Sequence, residues 1–416
     1  MATVTIATCN LLKISILTRF LDKTDFGLMA LVMFVMGFMD LFMDMGLTSA
    51  ILHKQDITRK QYASLYWLNI VFSIFIYLFI FLTSPFIATF YNESELQKLI
   101  PLMAVGIIFA ALGRQFKTIL QKHIEFKTIA LVEICSVLFS LAIAVYLAIH
   151  DYGVYALVYS ALAQYLVSNG IFFIIGNNRQ KLLAHFNYSE TKPFLRIGIY
   201  QVGGQIINYF NRDLDILIIG KFFGSEILGG YSLAKQLVFR PAQVLNPIFT
   251  RVASPILAKM QFDKNTLKTN YLKLLNVVSS VNLPIYLGLI IFAPLVVNIL
   301  YGEGYDSIVI LVRILSVYMI FRVIGNPIGS LLIATGRTDL DFYWNLFTLI
   351  VLPIAILIGA QFSIESVALA ITVAMFILLV PSWYFMIFKL TGASLKEYLF
   401  SLLPKIKLKE IKRFFK

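Results

Sequence analysis

The 416-residue chain is short of almost everything that soluble catalysis uses. It has two cysteines, Cys9 and Cys135, both inside apolar runs. They make neither a disulfide framework nor a metal-ligand spacing. The four histidines, His53, His123, His150 and His185, are scattered and suit packing or loop roles better than a metal site. Charged residues make up 14% of the chain, against about 25% in ordinary soluble domains. No glycine-rich loop of the phosphate-cradling kind is present, so no nucleotide-driven step and no cofactor is expected. No gap between apolar runs is long enough to hold a domain outside a membrane. The opening residues, ATVTIATCNLLKISILTRF, lack a basic leader and a convincing cleavage site. They read as a first membrane helix, in which Lys13 is unusual.

What the chain does have is apolar surface. Hydrophobic residues are 59% of it, and the mean hydropathy is +0.82. A soluble core cannot hide that much, so the bilayer acts as solvent and the chain is an all-α integral membrane protein. The net charge of +13 would suit nucleic acid. Here, however, the basic residues fall in short gaps between apolar runs, which suits the cytoplasmic face of a membrane and no nucleic-acid partner. About twelve runs have crossing length, at roughly 2–20, 26–51, 62–90, 98–116, 127–149, 153–176, 194–220, 226–257, 274–300, 307–335, 340–360 and 364–388.

Charge in the gaps gives an orientation. The second, fourth, sixth and eighth gaps, 53–60, 114–127, 177–196 and 259–273, carry about +2, +3, +3 and +3. The odd gaps are neutral or acidic, and only the tenth, 337–341, breaks the trend. The even gaps are therefore expected in the cytoplasm, with both termini. The stretch 389–416 is basic and amphipathic, expected either on the inner leaflet among anionic lipids or as a solvated tail.

The chain also repeats itself. ILTRFLDKTDFGLMALVM matches ILIIGKFFGSEILGGYSLAK, pairing Arg19 with Lys221 and Gly27 with Gly229 at a spacing of 202. FYNESE matches LYGEGY, pairing Tyr91 with Tyr301 and Glu93 with Glu303 at 210. Gly113 and Gly325 continue the series at 212. Six spans separate the copies, an even number, so the halves share one orientation. The expected organisation is two pseudo-symmetric six-helix lobes, 1–176 and 194–388, joined by a basic cytoplasmic linker at 177–193. Such pseudo-symmetry is typical of alternating-access transporters.

Polar residues deep in the spans are the candidate site, because charge at the bilayer centre is costly unless it faces protein or water. Span eight, within EILGGYSLAKQLVFRPAQVLNPIFTRVASPILAK (226–259), carries Lys235, Arg240 and Arg251 among Pro241, Pro247 and Pro255. At 1.5 Å per residue, Lys235 lies about 13 Å from the outer end, Arg240 about 20 Å and Arg322 of span ten about 22 Å. Asp40 and Asp44 lie about 20–27 Å into span two and share one helix face. Asn208, Asn211, Arg212, Asp213 and Asp215 cluster in span seven, with Tyr209 and Phe210 as aromatic faces for sugar. The cations suit an anionic cargo, and Asp40, Asp44, Asp213 and Asp215 suit charge balance or ion coupling. The alternatives are a buried structural pair, such as Asp40 with Arg240, and polar glue between helices around 208–215. Glu133, Arg251 and Arg313 lie near span ends and are expected to snorkel.

LTRFLDKTDFGL (17–28), DLFMDMGLTSAIL (40–52), LYWLN (65–69), GRQFKTILQKHIEF (113–126), INYFN (207–211), GGYSLA (229–234), LNPIFTRV (245–252) and GNPIGSLL (325–332) together resemble the Wzx-type polysaccharide flippases. These belong to the multidrug/oligosaccharidyl-lipid/polysaccharide exporter superfamily, and the likeness is to its colanic-acid-exporter-like branch. The resemblance covers essentially the whole chain. It implies two six-helix lobes in a V shape in the bacterial cytoplasmic membrane. The implied cargo is an oligosaccharide on undecaprenyl diphosphate, moved from the inner to the outer leaflet for O-antigen, capsule or exopolysaccharide synthesis. The implied partners are that lipid-linked cargo, membrane lipids and the polysaccharide polymerase machinery. A sodium or proton gradient, or the membrane potential, would supply energy. Basic residues on cavity-lining spans one, two, seven and eight would meet the diphosphate, which matches Arg212, Lys235 and Arg240 beside Asp40. Arg212 and Asp213 stand where neutral polar residues would be unsurprising, so cargo charge is expected to differ. The rivals are a small-molecule multidrug exporter of the same superfamily and a membrane-embedded polymerase or glycosyltransferase. The deep cations argue against the first, and the short outer gaps against the second.

Overall fold

A computed structural model describes residues 2–44, 46–54 and 56–404, with backbone alone at 2, 196–201, 251 and 252. The described residues are helical throughout, without strands. The helices are α1 (Ala2–Leu17), α2 (Lys23–Asp44), α3 (Leu47–His53), α4 (Arg59–Tyr91), α5 (Leu96–Lys122), α6 (Phe126–Ile149), α7 (Val154–Gln180) and α8 (Tyr188–Ala258). They continue with α9 (Lys264–Tyr301), α10 (Ile308–Ala334), α11 (Thr338–Gly359) and α12 (Ile364–Ser382). A π-helical turn, Trp383–Phe388, prolongs α12, and α13 (Leu395–Leu402) follows.

Ten helices among the described residues are long and apolar enough to cross a membrane. The difference from twelve has two causes. Expected spans seven and eight are one 71-residue element, α8, broken only at Gly224 (φ 78, ψ 179), a conformation open to glycine. Its apolar part, Val202–Ala258, would be about 85 Å long if straight, far more than the roughly 30 Å hydrocarbon layer. Two crossings with a sharp break therefore fit it. The expected first span, α1, has 16 helical residues, fewer than the roughly 20 a crossing needs.

The helices are inside-out relative to a soluble bundle. On α4, Leu82 and Phe86 are 67% and 76% exposed, whereas Ser73 and Ser84 are buried with their hydroxyls on carbonyls one turn back. On α9, Ile291, Leu295 and Ile299 are exposed while Ser279 and Asn282 are buried. Apolar residues outward and small or polar ones at helix seams is the pattern a lipid solvent selects.

The chain divides into two compact units, Met1–Gly229 and Gly230–Lys416. In the first, α5 packs on α4 and α7, and α6 packs on α1 and α7. In the second, α10 packs on α9 and α12, α11 on α12, and α13 on α9. The gaps are shorter than the hydropathy suggests. Helix α5 runs on to Lys122, so Arg114 and Lys117 are helical rather than in a gap. Only 181–187 lies between α7 and α8. That segment is pinned to α4: Trp67 donates to Leu183 O at 3.0 Å, Ser64 Oγ accepts from Asn187 N at 3.0 Å, and Arg59 donates to Lys181 O at 3.2 Å. The repeat divides the chain elsewhere, at the basic linker 177–193. Of the basic tail, 405–416 lies outside the described residues.

The repeat is written into the helix ends. Asn92 (φ 56) ends α4 with its N–H on Ala88 O, and Gly302 (φ 84) ends α9 with its N–H on Asn298 O, each pair 210 apart. Helix α5 ends with Glu125 N donating to Leu120 O at 2.9 Å, and α10 ends with Arg337 N donating to Leu332 O at 2.9 Å, 212 apart. The closest correspondence lies in the first unit. A Cβ on Gly27 would stand 1.8 Å from Ser225 O, and one on Gly229 would stand 1.7 Å from Lys23 O. Lys23 and Ser225 are themselves 202 apart. Each of the two glycines thus meets, on the other helix, the carbonyl equivalent to the one its partner meets, and only hydrogen fits at either.

Candidate functional site

The first unit gathers the carboxylates of α2 around a cation that the hydropathy profile placed in a loop. Asp40 pairs with Arg114 of α5, and Asp44 lies 4.0 Å from the same guanidinium. Thr48 of α3 donates to Asp44. The i, i+4 spacing puts both acids on one face, and α5 supplies the counter-charge, so the partner of Asp40 is Arg114 rather than Arg240. Three residues further along α5, Lys117 pairs with Glu133 of α6 at 2.6 Å. Glu133 is thus a helix-to-helix tie, not a snorkelling end group. Arg313 donates to Ile290 O at 3.3 Å. Arg251 lies outside the described side chains.

The polar cluster of α8 divides by face. Arg212 donates to Asp213 at 2.7 Å and lies over the Tyr209 ring at 5.4 Å. Asn208 is exposed, Asn211 half-buried and Asp215 buried. Tyr209 is not an open sugar face. It is buried, donates its hydroxyl to Phe34 O at 2.6 Å, and packs in the notch left by Gly37. Phe34 and Phe38 close over it, with ring centroids 5.2 and 6.2 Å away. Phe210, half-buried beside Phe38, is the aromatic surface that remains.

The second unit holds the cations. Lys235 is 7% exposed, its Nζ 5.5 Å from the centroid of Phe239. Arg322 of α10 also lies 5.5 Å from Phe239, and 5.7 Å from Tyr318. It donates to the Tyr318 hydroxyl at 2.5 Å, and the Phe239 and Tyr318 rings stack 6.2 Å apart. Two cations on two helices therefore converge on one ring, a contact worth about 0.5–2 kcal/mol for each. Arg240, one residue past Phe239, is half-buried and makes no ion pair or hydrogen bond among the described residues. Further along the same helices a small cleft is lined by Asn246, Thr250, Asn326 and Ser330 together with Phe249, Leu274 and Val278. Asn246 Oδ1 and Ser330 Oγ are buried there without a hydrogen-bond partner among the described residues, which suits hydration.

Arg114, Phe239 and Tyr318 were not singled out from the sequence. Two had a readable signal: Lys235 with Phe239 and Tyr318 with Arg322 are each four apart, hence on one helix face. Among the described residues no group of three His, Cys, Asp or Glu could hold a metal ion.

A family model described as polysaccharide biosynthesis protein matches residues 16–310. The chain belongs to that family. A member-like relative, lipopolysaccharide biosynthesis protein WzxC of Escherichia coli (strain K12), is 32% identical over 406 residues, 96% of this chain and 82% of that one. Teichuronic acid biosynthesis protein TuaB of Bacillus subtilis (strain 168) is 32% identical over 327 residues, 78% of this chain and 67% of that one. Among solved structures, lipid II flippase MurJ in an inward closed conformation superposes with a TM-score of 0.78 at 16% identity, covering 100% of this chain and 90% of the other. The polysaccharide-biosynthesis family member described here is thus a multi-pass helical membrane protein with the flippase fold.

Proposed function

We propose that the chain moves undecaprenyl-diphosphate-linked oligosaccharide from the inner to the outer leaflet of the bacterial cytoplasmic membrane, by alternating access of two six-helix lobes, during cell-surface polysaccharide synthesis. The observation that carries this is Arg240, a half-buried guanidinium inside the apolar stretch Val202–Ala258 with no ion pair among the described residues. Lys235 and Arg322 share its unit. Residues 230–262, α9 and α10 contain no Asp or Glu, so this part of the molecule suits an anionic group such as a diphosphate. The relatives named above carry polysaccharide and lipopolysaccharide biosynthesis in their names, which supports a lipid-linked sugar as cargo. Asp40, Asp44, Asp213 and Asp215, in the first unit, serve charge balance or ion coupling on this reading, with a gradient or the membrane potential as energy source. The basic segments 53–60 and 177–196 then face the cytoplasm with both termini, and the polymerase machinery takes the delivered unit.

The test is transport of a defined lipid-linked oligosaccharide in vesicles, with complementation of a flippase-null strain. Arg240→Ala is expected to cut transport at least tenfold while the protein still inserts and melts as the parent does. Full complementation by that variant would refute the assignment.

A further inference from the structure

Lys13 is the charged residue of the first helix that the transport reading leaves unused. Its Nζ donates to Ser140 Oγ of α6 at 3.0 Å. Ser140 is fully buried and donates to the Ser160 carbonyl of α7 at 2.7 Å. Ser160 is equally buried, with its own hydroxyl on Leu157 O at 3.0 Å. One amine is thus tied through two serines to a seam of three helices. Ser140 lies nine residues before the end of α6 and Ser160 six after the start of α7, about 13 and 9 Å from the helix ends on the face assigned above to the outside.

Among the described residues, the three helices of this seam bring no free counter-charge to Lys13. Among the described residues Lys13 makes no ion pair. Helices α1 and α7 contain no Asp or Glu. Helix α6 has one acid, Glu133, two turns from Ser140 and taken by Lys117. Within one turn of Ser140 or Ser160 the ionisable group is Tyr159, which is 40% exposed; on α1 it is Cys9. An ammonium carries three N–H donors and no acceptor. The seam offers it one hydroxyl oxygen, and that hydroxyl already spends its hydrogen on a carbonyl. A neutral amine needs only that one acceptor.

We propose that Lys13 is a proton-binding site. The amine is neutral in the closed seam, takes a proton from the outer solution on its lone pair when the seam opens to the outside, and gives it up to water on the cytoplasmic side when the protein opens inward, so one proton crosses per cycle. The step is R–NH₂ plus H⁺ giving R–NH₃⁺ and its reverse, with no other bond made or broken. Within the flippase reading, on which this rests, it ties cargo movement to a proton gradient.

Two measurements decide it. In the full-length protein labelled with ¹⁵N-lysine, the Lys13 signal is identified by its loss in Lys13→Met and followed from pH 6 to 10. It is expected to titrate at least one pH unit below the bulk lysines; titration together with them overturns the proposal. This readout does not depend on the cargo, so failure of lipid-linked oligosaccharide to move at all would refute the flippase reading and leave Lys13 to be judged by its titration. In vesicles that do transport, an imposed proton gradient is expected to speed the parent protein about fivefold or more. Lys13→Met should keep slow downhill transport and lose that response. Lys13→Arg, a cation that does not release its proton, should lose it too. A Lys13→Arg variant that responds like the parent would show that a fixed charge suffices, and the proposal would fall.

Discussion

Phe239→Leu tests whether the aromatic ring of the second unit organises its cations. Lys235 Nζ and the Arg322 guanidinium each lie 5.5 Å from the ring centroid. A cation on a ring contributes about 0.5–1 kcal/mol when exposed and about 2 when desolvated. Lys235 is buried and Arg322 half-buried, so the pair draws about 1.5–3 kcal/mol from Phe239. Leucine keeps an apolar side chain at that position and removes the quadrupole. Part of the loss falls on the empty protein and part on the geometry offered to an anion. If half of it reaches binding, affinity falls by about 1 kcal/mol, or roughly fivefold. The assay is the KM and maximal rate of lipid-linked oligosaccharide transport in vesicles, with melting temperature as a control. The expected result is a raised KM, a nearly unchanged maximal rate, and recovery with Phe239→Tyr. A KM within twofold of the parent would refute the ring's role. An equal loss in Phe239→Tyr would show that packing, not the π face, is what matters.

Three other outcomes are expected. Gly27→Ala forces a methyl to within 1.8 Å of Ser225 O, so the helices must part; overpacking of this kind costs about 1–3 kcal/mol, seen as a melting temperature lowered by several degrees, with Gly229→Ala matching it. Arg114→Gln strands Asp40 and Asp44 on one face and should destabilise more than Arg114→Gln combined with Asp40→Asn, a non-additivity that thermal melts of the single and double variants measure. Glu397 is held below the ordinary glutamate value by the Ser394 backbone N–H first and by Lys268 next. A depressed carboxylate gives stability that is complete above its unfolded value, about 4.5, and is lost as pH falls through the folded one. Docking of α13 on α9 should therefore loosen in acid below that value, read by hydrogen exchange across Leu395–Leu402, and Glu397→Gln should be loose at neutral pH already.

The membrane helices were legible because a lipid solvent forces long apolar runs into the chain, and no competing fold hides 59% hydrophobic content. Their ends were not, wherever a charge inside a helix has a partner on a neighbour. Arg114 and Lys117 look like loop residues until Asp40 and Glu133 are seen beside them. Pairing of that kind depends on which helices adjoin, and periodicity along one helix does not carry it. The same holds for Tyr209, whose sequence neighbours suggested a sugar platform. Its burial follows from Gly37 on α2, which leaves the notch the ring fills. By contrast the repeat was legible, because glycines and turn residues are dictated by backbone geometry, which both copies share. Deep cations were legible as exceptions to hydropathy, and their aromatic holders were not, since Phe and Tyr are unremarkable among 36 and 21 of their kind.

The glycine crossing of α2 and α8 has a consequence for descent. A residue meeting its own counterpart, each against the equivalent carbonyl, is the contact that identical subunits make around a dyad. A half-length ancestor pairing with a second copy of itself would have formed this crossing from a single glycine codon. A side chain at either glycine therefore opens the same crossing.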